Sequence, residues 1–181
     1  MYSGLSRLTR LTDNSEGHKC WAALPNLQYL TVFSVFRTLE GVQFPASLRI
    51  LSLSTAEIVP LPPDYLAPLG ALSRLERLHL SCQIPTVPGM ASLTVMSLDF
   101  QAGIPSEDED AMMPDLAIFP QLQELRVSLC CDLDLPHLAS HPSLCRILHV
   151  CNGHRLSMDI EDHGKFLCEA RDYLGKLDVF D

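Results

Sequence analysis

His149, Cys151 and His154 lie within six consecutive positions, with Cys145 a few residues upstream. Imidazole and thiolate are the ligands zinc prefers, so this cluster is where metal chemistry would be sought first. His137 and His141 form a second pair, four residues apart. Zinc sites usually use tighter paired spacings, and none of the seven cysteines (20, 82, 130, 131, 145, 151, 168) belongs to a CxxC. The expectation is a buried Cys145 beside surface histidines, with no metal and no cofactor. The acidic run 107–110 offers carboxylates for Ca²⁺, or would make Ser106 a target for an acid-directed kinase. It lacks the alternation and glycine of a calcium loop, so a solvated loop is expected. Nucleophilic and phosphate chemistry find no footing either, since the chain contains no GxSxG, P-loop or HExxH. We therefore expect no enzyme and no catalytic residues.

Composition narrows the remaining classes. The chain has 181 residues, of which 47% are hydrophobic and 19% charged, enough apolar surface for one ordinary core. Leucine supplies 32 residues, against 9 Val and 7 Ile, which disfavours architectures built on β-branched side chains. The net charge of −9 leaves no basic stripe for phosphates, so nucleic acid is not an expected partner. The odd number of cysteines, scattered among apolar residues, implies a reducing compartment. MYSGLSRLTRL lacks the apolar core of a signal peptide, and no run approaches the roughly 20 apolar residues of a membrane span. A soluble, cytoplasmic, monomeric protein with no membrane contact is expected.

The elements that would position any site follow from one spacing. In SLRILSL (47–53) the leucines stand at 48, 51 and 53, a step of three and then two. Neither a helix nor a plain amphipathic strand keeps that step. It recurs as Leu27, Leu30, Val32; as Leu75, Leu78, Leu80; as Leu93, Met96, Leu98; and as Leu122, Leu125, Val127. In SLCRILHV the spacing fits two registers. The apolar set Cys145, Leu148, Val150 is preferred over Leu144, Ile147, His149. Starts near 27, 48, 75, 93, 122 and 144 are separated by 21, 27, 18, 29 and 22 residues. A proline precedes the first leucine in LPNL, FPASL, FPQL and HPSL, holding an extended entry. After the strand a small residue and an aliphatic recur: Ala56 and Ile58, Cys82 and Ile84, Ala102 and Ile104, Cys131 and Leu133.

This pattern resembles leucine-rich repeat proteins, whose units run about 20–29 residues. Ile84-Pro85 and Ile104-Pro105 resemble the plant-type repeat. TLEGVQFPASLRILSL (38–53) is similar to protist arrays built on an LEGV unit. The family's asparagine is largely replaced by Ala or Cys, and Asn152 is the one candidate match. The resemblance implies an α/β solenoid with short parallel strands on a concave face and an irregular convex side. Residues 1–23 would be a degenerate or truncated first repeat, 24–153 an array of about six coils, and 154–181 a C-terminal helical cap. The cap is read from Phe166, Leu167, Ala170, Tyr173, Leu174 and Leu177 at helical spacing, with Asp162 as cap and Gly175 as end. Residues 64–73 are expected to make a short helix or turn, and 106–115 a solvated bulge.

Residues alternating with the inward leucines must face outward. They are Tyr29, Thr31 and Phe33; Ile50, Ser52 and Ser54; Arg77, His79 and Ser81; Val95, Ser97 and Asp99; Glu124, Arg126 and Ser128; and Ile147, His149 and Cys151. Arginine and aromatic side chains concentrate protein-binding energy. The expected function is a non-enzymatic protein–protein interaction module. It would bind its partner through Tyr29, Phe33, Ile50, Arg77, His79, Asp99, Glu124, Arg126 and His149. The alternative is the substrate-recognition part of an F-box/leucine-rich repeat ubiquitin ligase, in which case the chain is a fragment of a longer one.

Overall fold

The computed structural model describes residues 5–14, 21–33, 39, 41–54, 64–81, 87–99, 115–128, 138, 141–151 and 154–159, and of 149–151 and 154–159 the backbone alone. Eight strands form one sheet in strict chain order: β1 (Arg10–Asp13), β2 (Tyr29–Phe33), β3 (Ile50–Ser54), β4 (Arg77–Ser81), β5 (Val95–Asp99), β6 (Glu124–Ser128), β7 (Arg146–Cys151) and β8 (His154–Asp159). β1 to β7 are parallel, and β8 returns antiparallel to β7. Short parallel strands, each beside its sequence neighbour, are compatible with a repeat solenoid.

The uneven leucine step is the section through one coil. Leu11, Leu30, Leu51, Leu78, Met96, Leu125 and Ile147 align across the seven parallel strands. Val32, Leu53, Leu80, Leu98 and Val127 form a second inward column. From β2 to β6 these residues are buried, and together with Leu27, Leu48, Leu75, Leu93 and Leu122 they form one continuous core. A single coil could not bury that face; stacked neighbours do.

The core pattern extends upstream of each strand at a constant step of three. Trp21, Leu24 and Leu27 are buried in one coil, Leu66, Leu69, Leu72 and Leu75 in another, and Leu116, Phe119 and Leu122 in a third. Their backbones run in 3₁₀ turns at Trp21–Ala23, Ala67–Ala71 and Leu116–Ile118. Leu24 N–H donates to Trp21 O, Leu27 to Leu24, Leu72 to Leu69, Leu75 to Leu72 and Leu122 to Phe119. A 3₁₀ turn has three residues per turn, so every third side chain lands on the same side. The turn at 67–71 agrees with the helix or turn expected over 64–73. In the LEGV stretch, Val42 N–H closes onto Leu39 O, and Gly41 takes φ +74°, a position suited to glycine.

Neighbouring coils are tied at one repeated joint. The carbonyl of the residue before each strand accepts two successive N–H groups of the next coil. Thr9, Gln28, Arg49, Glu76, Thr94 and Gln123 do this in turn, at 2.8–3.0 Å. A second tie uses the residue before the first leucine. Ser47 Oγ donates to Leu27 O, Ser92 Oγ to Leu75 O and Ser143 Oγ to Pro120 O, and Asn26 Nδ2 donates to Ser6 O. Small polar residues thus link coils one step ahead of the core.

The two ends of the sheet differ from its middle. Residues 5–14 include a complete strand, β1. Its inward Asp13, aligned with Val32, accepts the indole N–H of Trp21 at 3.1 Å. Trp21 also stacks on Phe44, centroids 5.4 Å apart. At the other end, 154–159 is strand, not the start of a helical cap. Cys151 pairs directly with His154, so two residues, Asn152 and Gly153, separate the strands. Asn-Gly between alternating apolar residues is the usual mark of such a hairpin. The helical reading of 162–175 lies outside the described residues, as do 106–114 of the expected bulge and the small-x-aliphatic positions after the strands. No helix among the described residues is long and apolar enough to cross a membrane.

The sixth coil adopts the register that was not preferred. Leu144 and Ile147 are buried and Cys145 is exposed, its Sγ donating to Gln123 O. Ile147 pairs with inward Leu125, and His149 aligns with inward Val127. Leu138, His141, Leu144 and Ile147 continue the step of three, which sets the phase. Because side chains alternate along a strand, this one-residue shift exchanges the two faces.

Candidate functional site

Opposite the core, the sheet presents columns of side chains whose alignment follows from the strand pairing. One column runs Arg10, Tyr29, Ile50, Arg77, Val95, Glu124, Arg146. The next runs Thr12, Thr31, Ser52, His79, Ser97, Arg126, Leu148. Beyond it lie Phe33, Ser54 and Ser81 on β2–β4, and Asp99 and Ser128 on β5 and β6. Tyr29, Ile50, His79, Asp99 and Glu124 are half-buried; Arg77 and Arg126 are exposed; and Phe33 is 52% exposed. Eight of the nine residues proposed from sequence therefore share this face. His149 is the exception, since its backbone position aligns with inward Val127.

Three of the four arginines on this face have partners within it. The Arg10 guanidinium lies 4.3 Å from the centroid of the Tyr29 ring. Arg126 donates to the Glu124 carboxylate, and Arg146 approaches the other oxygen of that carboxylate at 4.0 Å. Arg77 stands between Ile50 and Val95 in its column and has no hydrogen bond or ion pair among the described residues. In the next column, His79 Nδ1 on the same strand and Ser97 Oγ on β5 are 3.0 Å apart. That contact pairs a base with a hydroxyl, and among the described residues no carboxylate is hydrogen-bonded to the imidazole. A nucleophilic triad requires that third group.

Ser81, expected on the outward face, is 3% exposed, and its hydroxyl has no hydrogen-bond partner among the described residues. A buried, unpaired hydroxyl carries a desolvation penalty. Ser81→Ala should accordingly raise stability by about 1 kcal/mol. Urea unfolding would check this, and a loss of stability would show that the hydroxyl is paired.

A shallow groove of about 750 Å³ runs along the edge where the chain enters the strands. Gln28, Arg49, Arg74, Glu76, Thr94 and Gln121 contribute to its walls. Arg49 grips Glu76 with two hydrogen bonds of 2.8 Å. Hydrogen bonding to Glu76, and then its charge, raise the Arg49 pKa and hold the guanidinium charged. Most other polar groups here serve the coil joints, so the groove is largely occupied with holding the array together.

Of the histidines considered for metal, His141 is the one whose side chain is described. His141 uses both ring nitrogens: Nε2 faces Leu116 O of the preceding coil at 3.2 Å, and Nδ1 accepts from Ser143 N and Leu144 N within its own coil. That pattern corresponds to the neutral tautomer with the proton on Nε2. Among the described residues no three His, Cys, Asp or Glu side chains gather as a metal site would require. His137 lies outside them.

Sequence reasoning missed Arg10 and Arg146. Arg146 was lost with the sixth register. Arg10 was hidden because its coil ends on Asp13 rather than an aliphatic, although Leu5, Leu8 and Leu11 already show the step of three. The chain matches no protein family, no curated protein and no solved structure. What defines its class is the seven-stranded parallel open sheet of short strands.

Proposed function

We propose that this chain is a leucine-rich repeat module without enzymatic activity, and that it binds a protein partner on the concave face of its sheet. One observation supports this above the others. Parallel sheets normally have both faces covered. Here one face lies against the core, while the other keeps exposed Phe33, Arg77 and Arg126 beside half-buried Tyr29 and Ile50. Aromatic and arginine side chains are enriched where binding energy concentrates.

Replacing Phe33, Arg77 and Arg126 together with alanine tests the reading. All three are exposed, so the circular dichroism spectrum should be unchanged and each substitution should alter the unfolding free energy by no more than about 0.5 kcal/mol. Partner capture from the native cell should be lost. A partner that the triple variant still retains would move the binding site off the sheet.

A further inference from the structure

The charge on the open face is opposite to that of the chain. Overall the protein carries −9. The outward positions of β1–β7 hold four arginines (Arg10, Arg77, Arg126, Arg146) against two carboxylates (Asp99, Glu124), a local balance of +2. Within this set Arg77 differs from the others. Arg10 lies over an aromatic ring, while Arg126 and Arg146 share Glu124. Arg77 is separated from Glu124 by the intervening strand β5, roughly 10 Å across two strand spacings. It is thus an exposed cation with aliphatic Ile50 and Val95 on either side.

The relief around Arg77 is also specific. Ser52 and Ser97, diagonal to Arg77 on the flanking strands, are small and leave low ground on either side of His79, where a backbone can approach the sheet. Tyr29 and Phe33 rise at one end, and Arg126 and Arg146 at the other. Building on the proposed protein-binding role, we infer that this face takes an extended acidic segment of its partner, lying across the strands. A carboxylate of that segment pairs with Arg77, and an adjacent apolar side chain rests on Tyr29 and Ile50. A nucleic acid fits less well. Asp99 and Glu124 would repel a phosphate backbone, and four dispersed arginines make no continuous track.

Fluorescence polarisation with three labelled synthetic peptides of equal length tests the assignment: alternating glutamate–leucine, glutamine–leucine and lysine–leucine. The glutamate peptide should bind, more weakly as salt is raised, and the other two should not. Arg77→Glu should weaken that binding by more than about tenfold while leaving the fold intact by circular dichroism. Arg77→Lys should keep part of it. The inference is overturned if no peptide binds, if glutamine–leucine binds equally, or if Arg77→Glu changes nothing. It is also overturned if single-stranded oligothymidylate displaces the glutamate peptide and binds more tightly. The broader reading is tested separately, by the triple alanine variant. A native partner lost by the triple alanine variant, yet indifferent to salt and to Arg77→Glu, keeps the sheet as the binding face and removes the acidic segment.

Discussion

Leu78→Asp is expected to unfold the array cooperatively. Leu78 sits mid-sheet, 1% exposed, aligned with Leu51 on one side and Met96 on the other, both fully buried. The substitution removes a buried aliphatic side chain, worth roughly 1.5–3 kcal/mol. It also places a carboxylate among buried aliphatic side chains, which adds several kcal/mol. Together these approach the whole stability of an ordinary domain, about 5–15 kcal/mol. Each coil is stabilised mainly by its neighbours, so a defect in a middle coil separates the array into two short pieces. The effect should depend on pH in a defined direction. Burial raises the folded-state pKa of the new carboxyl above its unfolded value, near 3.9. The charge penalty is therefore greatest above the raised pKa and fades as pH falls toward the unfolded one. Thermal melts at neutral and mildly acidic pH would show this as partial recovery in acid. A native melting curve at neutral pH would mean that Leu78 does not face the core.

The second large effect belongs to Phe119, a fully buried ring that lies on no strand. It sits at the centre of the turn that feeds β6, with its N–H on Leu116 O and its carbonyl accepting from Leu122. Asp115 starts that turn, its side chain accepting the Ala117 N–H at 3.0 Å. Phe119→Ala should cost about 3–5 kcal/mol, because the surrounding leucines can collapse only partly into the void. The same change at Phe33, 52% exposed on the open face, should alter stability by less than about 0.5 kcal/mol. Urea unfolding of the two variants side by side provides the measurement. Similar losses from both would show that Phe33 is packed, which would undercut its assignment to the binding face.

Much of this was legible in the residues. The step of three then two marked β2 to β6 and separated inward from outward side chains, because side-chain direction alternates strictly along a strand. Eight of the nine proposed binding residues fall on one face for that reason. The step of three through Trp21, Leu24 and Leu27, or through Leu116, Phe119 and Leu122, was equally visible, but it reads as a helix fragment until a 3₁₀ turn is considered. The antiparallel return of β8 on β7 was not legible, because the spacing of the later residues reads as a helical cap.

The sixth coil shows where local pattern stops. Cys145, Leu148 and Val150 are the more apolar set, yet Leu144 and Ile147 face the core. Composition within the strand favoured one phase; pairing with Leu125 and the turn through His141 imposed the other.

By itself, the sequence determined the repeat, the inward columns and the list of side chains offered outward. These depend on spacing along the chain, and a strand or 3₁₀ turn converts spacing directly into direction. Only the tertiary structure decided which of those side chains meet. Arg10 covers Tyr29, Glu124 binds Arg126 and Arg146, His79 reaches Ser97, and Arg77 has no partner among the described residues. Most of these contacts join residues about 18–22 positions apart on adjacent strands. The length of each coil sets that alignment, and coil length varies from one repeat to the next.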